Sequence, residues 1–247
     1  MNTSFFRIFT GAFLIWFLSQ GTLQAQQPGE PFTFSTRRIL DESTQIIDQE
    51  TGKRVTVRDA MRLIDTVPRS HHLEPVFDEY AQVSSYKLRP LTVEEKQTGA
   101  VNSRDLSKRP KVGDVMPLFV MKDVNGNVYR STALRGQVVV LAFLLELKKP
   151  FWNANGAKAL DDLISPSRAT VNPIVLGVVG TSRTAINEIL KTETLPFIPI
   201  PDAVGFHQKF SIMGFPSYIV IDRAGKVAAV IEPGEGEQLK EILLKIN

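Results

Sequence analysis

Eight consecutive residues, Val138 to Leu145, are apolar. A strand with one face in water alternates apolar and polar residues. An unbroken run of this length, opened by three valines, marks a strand buried on both faces. The rest of the chain must therefore supply a layer above that strand and another below it. The sequence around the run offers suitable pieces. Leu118 to Lys122 and Val128 to Arg130 flank Asn125-Gly126, a signal for a type I′ hairpin. Pro150 is expected to open a helix running to about Ile164, since proline fits a first helical turn. Pro173 to Val179 reads as a second buried strand, and Thr181 or Ser182 as the cap of a helix through Leu190. Phe197 to Ile200 follows as a short strand, then a turn or two of helix over Val204 to Phe210. Tyr218 to Ile221 and Lys226 to Ile231 read as strands joined at Asp222-Arg223-Ala224-Gly225. An amphipathic helix over Gln238 to Ile246 closes the chain. Strands alternating with helices and ending in a hairpin predict an α/β fold with a mixed sheet flanked by helices.

Upstream the signals are shorter. Arg7 precedes the charge-free, mostly apolar run Ile8 to Leu18, and Thr22-Leu23-Gln24-Ala25 follows. This pattern predicts a signal peptide over residues 1–25, cut after Ala25, and hence a periplasmic or secreted protein. A membrane-spanning helix needs about 20 apolar residues, so no stable span is expected once the signal is removed. An uncleaved anchor is the alternative. Residues 26–36 read as a polar tail and Arg104 to Lys111 as a linker, which predicts an extension over 26–108 and a second domain over 109–247. Within the extension, Gly52-Lys53 marks a turn before the alternating stretch Arg54 to Val57. Ala60, Met61, Leu63 and Ile64 recur with helical spacing, Ser84 to Leu88 alternates, and Thr92 with Glu95 forms a capping-box pattern. A small α/β extension is expected there, with no assigned chemistry.

Composition excludes several functions. The 29 basic and 26 acidic residues are interspersed, with no block of five like charges, so no nucleic-acid partner is expected. His71-His72, near Glu74 and Asp78, is the one metal-like cluster, but adjacent histidines on an extended chain point apart. Neither a metal nor another cofactor is expected. The chain contains no cysteine. It can form no disulfide and carry no lipid on a cysteine, so packing alone must hold it together.

From about residue 111 onward, through Val112-Gly113-Asp114 with Pro117, Asn125-Gly126, Val138 to Phe143 and Gly214-Phe215-Pro216-Ser217, the chain resembles the thioredoxin-like redoxins of the AhpC/TSA type, specifically the exported thiol–disulfide oxidoreductases related to ResA and TlpA. Val112-Gly113-Asp114 with Pro117 resembles the family's VGxxAPxF entry. Asn125-Gly126 and Leu134-Arg135-Gly136 resemble the segment before its central strand, and Val138 to Phe143 resembles that strand. Gly214-Phe215-Pro216-Ser217 and Ile221-Asp222-Arg223-Ala224-Gly225-Lys226 resemble GxPT and IDxxGK. The resemblance implies a thioredoxin-like mixed sheet flanked by helices, and a cis bond before Pro216.

It also implies where the chemistry should be. In the family a CxxC follows the central strand and opens the next helix, whose free amides and positive end stabilise a thiolate. The matching residues here are Lys148-Lys149-Pro150-Phe151, of which only the proline agrees. No thiol reaction of the family carries over, so no catalytic residue is assigned. What the resemblance leaves is a groove, with Lys148, Lys149, Pro150, Phe151 and Trp152 on one side and Phe215 and Pro216 on the other. An aromatic patch beside a free backbone edge suits an extended peptide or an exported protein. Two lysines at a helix start also suit a carboxylate or phosphate. The competing readings are that Pro216 persists for the fold alone while Phe151 and Trp152 pack inward, that the protein is a redoxin-family enzyme after all, or that an enzyme has relocated its chemistry to Lys148, Glu146 or His207.

Overall fold

The computed structural model describes residues 40–99, 101 and 109–246. The expected signal peptide, the tail over 26–36 and most of the linker lie outside the described residues. Residues Leu40–Asn247 belong to one compact unit.

The apolar run forms β7 (Val139–Leu144), the middle strand of a five-stranded sheet. Its neighbours are β8 (Ile174–Val179), parallel, and β10 (Ser217–Ile221), antiparallel. The edges are β9 (Ile198–Ile200), parallel to β8, and β11 (Val227–Ile231), antiparallel to β10. Successive side chains of a strand point to opposite faces, and β7 divides its residues accordingly. Val140, Ala142 and Leu144 enter a core with Leu160 and Ile164 of α3 (Ala154–Ile164) and Leu239 and Leu243 of α6 (Gly236–Lys245). Val139, Leu141 and Phe143 enter the opposite core with Phe206 of α5 (Val204–Lys209), Phe210, and Phe119 and Met121. Full burial of each such side chain contributes roughly 1.5–3 kcal/mol. The helix α4 (Arg183–Ile189) is capped by Ser182, whose hydroxyl accepts from the Ala185 amide.

Two local expectations are corrected. The hairpin of β5 (Val120–Lys122) and β6 (Val128–Arg130) forms, but not through a type I′ turn. Of Asn125 and Gly126 only Gly126 has positive φ, at 90°. The Gly126 amide donates to Asp123 O and the Asp123 amide to Asn127 O, which is the three-residue loop with a glycine bulge. Buried Asp123 selects it, because its carboxylate accepts from the amides of Asn125 and Asn127 and from the Asn127 side chain. Second, Pro150 does not open α3. The proline lies in a turn closed by the Trp152 amide on Lys148 O, and the helix begins at Ala154. Asn153 is the cap: its side-chain oxygen accepts from the amides of Asn155 and Gly156 at 2.9 and 3.1 Å.

The upstream residues build a four-stranded sheet in the order β2-β1-β4-β3. β1 (Ile46–Asp48) pairs antiparallel with β2 (Arg54–Val55) and parallel with β4 (Val83–Pro90), which pairs antiparallel with β3 (His71–Phe77). Ala60 of α1 (Val57–Thr66) packs on Ile46 and Leu88. The capping box is present at α2 (Val93–Thr98), with Thr92 and Glu95 bonded reciprocally. Glu95 has a second task. Arg89 donates to both its carboxylate oxygens, at 2.8 and 2.7 Å, and to Glu74 at 2.8 Å, all three groups being largely buried.

The tip of the β3–β4 hairpin seats against the five-stranded unit. Ala81, only 3% exposed, belongs to the core that holds Phe143 and Phe206. The Val120 amide donates to Glu79 O, and Lys209 Nζ donates to Asp78 O and Leu118 O. Burial at this contact pushes the Lys209 ammonium pKa below its ordinary value, against the opposing pull of Asp78 and Glu79. The approach is close enough that a Cβ on Gly205 would stand 2.3 Å from Ala81 O. Gly205→Ala is therefore expected to destabilise the protein by about 1–3 kcal/mol in urea denaturation and to speed hydrogen exchange at the Val120 amide. Unchanged stability and protection would show that the hairpin tip yields freely. Arg89→Ala strands two buried carboxylates and should cost about 3 kcal/mol or more by the same measurement; a loss near zero would contradict the network.

Candidate functional site

The register places the ends of β7 and β8 and the start of β10 together, since Phe143 pairs with both Val178 and Ser217. At this end, three connections join these three strands to the rest of the chain: residues 145–153, 180–182 and 211–216. The first two are tied to each other. The Gly180 amide donates to Leu145 O at 3.0 Å, and the Leu147 amide to Thr181 Oγ1 at 2.7 Å. Leu147 is buried, so the chain turns outward only at Lys148.

The seven residues expected at the site divide into groups. Lys148, Lys149, Pro150 and Phe151 are exposed on the first connection, Phe151 at 39%. Lys148 Nζ pairs with Glu146 at 2.5 Å, with the lysine side chain 68% exposed. An ion pair so open to water contributes less than about 1 kcal/mol. The two lysines lie within the turn over 148–152 and Asn153 supplies the helix cap, so neither lysine stands at the first turn of α3 as the anion reading expected. Trp152 is a core residue, 7% exposed, meeting Phe197 edge-to-face at 5.5 Å. Its indole Nε1 is buried and has no hydrogen-bond partner among the described residues.

On the third connection the Phe215–Pro216 bond is cis, as the resemblance implies. Ser217, buried at the start of β10, donates its hydroxyl to Gly214 O at 2.7 Å and so pins the loop. Pro216 is exposed, and so is Met213, at 49%. Neither the amide nor the carbonyl of Phe215 is hydrogen-bonded to another described residue. A backbone pair left open beside exposed apolar side chains is what an added strand requires.

His207 is one of the three positions that the relocated-chemistry reading named. It is 1% exposed. Its Nε2 lies 3.0 Å from Val178 O, and since a carbonyl accepts, this nitrogen carries the proton. The ring stands edge-on to Phe143 at 5.7 Å and tilted against Phe215 at 5.0 Å. It is therefore a positioning residue: α5 holds it, the β8 backbone orients it, and it supports the Phe215 ring from below. The sequence around it, Val204-Gly205-Phe206-His207-Gln208-Lys209-Phe210, does not reveal the partner it meets. His71 and His72 lie consecutively on β3, opposite Pro90 and Arg89. Burial, then the neighbouring Arg89 charge, lowers the His72 pKa. Among the described residues no group of three or more histidine, aspartate or glutamate side chains is placed to hold a metal ion.

No family model matches the chain, and no curated protein matches it. Among solved structures it is similar to a thiol-disulfide oxidoreductase from Bacteroides fragilis NCTC 9343, with 22% identity, 52% of this chain and 99% of that one covered, and a TM-score of 0.43. It is similar also to the DsbF protein of MTB, solved in mixed oxidized and reduced forms, with 20% identity, 52% and 95% covered, and a TM-score of 0.42. A thioredoxin family thiol:disulfide interchange protein from Chlorobium tepidum TLS gives 19% identity, 56% and 97% covered, and a TM-score of 0.43. The fold is mixed α/β, with a mixed sheet flanked by helices, and its strand order and cis Phe215–Pro216 bond are consistent with a thioredoxin-like fold.

Proposed function

We propose that this chain is an exported, non-redox binding module that holds an extended polypeptide along the cis-proline loop. The observation that carries the reading is the open backbone of Phe215, flanked by exposed Met213 and Pro216 at the same sheet end as exposed Phe151. An added strand would gain roughly 0.5–1.5 kcal/mol for each main-chain hydrogen bond. Its side chains would bury apolar surface on Met213 and Phe151. Lys148, Lys149 and Pro150 form the outer rim in this reading, and Trp152 supports the rim from the core. The apolar run Ile8 to Leu18 supports export, and no described helix is long and apolar enough to cross a membrane. Thiol exchange has no nucleophile in this chain. Relocated chemistry at Lys148 finds little support: the side chain is solvent-exposed and ion-paired, without the burial that a nucleophilic lysine needs.

The test is fluorescence anisotropy with a labelled, permanently unfolded carboxymethylated polypeptide. Binding should be saturable, and Phe151→Asp and Met213→Asp should each weaken it about tenfold, the equivalent of one lost apolar contact. Absence of saturable binding, or indifference to both changes, would refute the reading. The position of the site has its own test. Lys148 and Phe151 stand where the resemblance puts the family's cysteine pair, on one turn closed by the Trp152 amide on Lys148 O. Lys148→Cys combined with Phe151→Cys should therefore close an intramolecular disulfide, read as loss of titratable thiols after mild oxidation. Thiols that stay free would show that these two positions do not face each other.

A further inference from the structure

Where the β3–β4 hairpin tip meets the five-stranded unit, it leaves a cavity of about 300 Å³ that lies apart from the cis-proline groove. Residues 80–82 form one wall. Met121, Ile200 and Phe206, all buried, line the apolar part. Three charged residues line the rest: Lys122 from β5, Arg183 from the first position of α4, and Asp202 from the turn before α5. Such a volume lies at the small end of ligand sites, roughly 300–1,000 Å³.

All three charged residues are exposed, and none of their side chains is paired with an opposite charge among the described residues. Arg183 gives one guanidinium nitrogen, Nη1, to Val124 O at 3.0 Å, which anchors the side chain at the rim and leaves the rest of its fork uncommitted. Neither Arg183 nor Lys122 is paired with a carboxylate among the described residues, and the Asp202 carboxylate has no partner among them either. The Asp202 backbone is itself fixed, with φ 53° and its amide donating to Thr181 O at 3.1 Å. An anchored guanidinium beside a lysine matches a carboxylate, which the planar fork meets through two parallel hydrogen bonds. Met121, Ile200 and Phe206 match an apolar body of a few carbon atoms.

We propose that this seam cavity binds a small organic carboxylate with an apolar body. Arg183 and Lys122 take the carboxylate, and the apolar wall takes the body. Asp202 lies on the same lining, where it favours a ligand that also bears an ammonium group, as a free amino acid does. The site exists only where the hairpin tip is seated, so a ligand there draws the two sheets together.

Isothermal titration of the full chain with hydrocinnamate, phenylalanine and inorganic phosphate tests this. Saturable binding of hydrocinnamate or phenylalanine is expected, with phosphate inert. Arg183→Gln and Lys122→Gln should each weaken it about tenfold while circular dichroism stays unchanged. The Lys122 side chain makes no hydrogen bond to a described residue, so its variant keeps the test valid if Arg183→Gln disturbs the loop at Val124. Tighter binding of phenylalanine than of hydrocinnamate, with the difference erased by Asp202→Asn, assigns the amino-acid form. The reverse order assigns a simple carboxylic acid. No saturable binding of either carboxylate, equal binding of phosphate, or binding indifferent to both cation changes would overturn the proposal.

Discussion

The burial of β7 on both faces is the constraint from which the rest of this structure follows. Val140, Ala142 and Leu144 need one apolar layer, and Val139, Leu141 and Phe143 need another. The chain meets the first with α3 and α6. It meets the second with α5, the β5–β6 hairpin and the tip of the upstream hairpin. A strand covered in this way has polar backbone to spare only at its ends, so the connections at those ends are where a ligand can be met. The cis-proline loop and the Lys148–Trp152 turn both lie there.

The upstream sheet is bound into this arrangement through α5. On one side that short helix is approached by Ala81 and tied by Lys209 to Asp78. On the other it carries His207, whose ring supports Phe215. Phe215 and a hairpin outside the five-stranded sheet are thus joined through a single six-residue helix. Their connection runs through packed rings and through hydrogen bonds from the Lys209 side chain to backbone carbonyls.

Much of the fold was legible in the sequence because its signals are local. The apolar run of β7 and the Thr92–Glu95 capping box each depend on residues within one segment. What was not legible depended on partners distant in sequence or on competition between nearby groups. The Asn125-Gly126 pair was expected to make a type I′ turn, but the Asp123 carboxylate captures the amides that decide the turn. Pro150 suits a first helical turn, yet Asn153 caps the helix better and Pro150 is left outside. β1 is three residues long, too short for any periodicity. β3 has no alternation, being half-buried along its whole length. Of the site, the cis Pro216 loop was readable by resemblance. The inward turn of Trp152 toward Phe197 and the support from His207 were not, because both are contacts made across the core.

This chain has the cis Phe215–Pro216 bond that the resemblance implies and no cysteine beside it. The central claim is that the loop itself is the binding surface. Amide chemical-shift mapping of the full chain, titrated with the unfolded polypeptide, tests that claim most directly. The account predicts shifts concentrated at Met213 to Ser217 and Lys148 to Trp152, with the Phe215 amide protected from exchange on binding. Shifts centred elsewhere, with Phe215 exchanging as before, would contradict it.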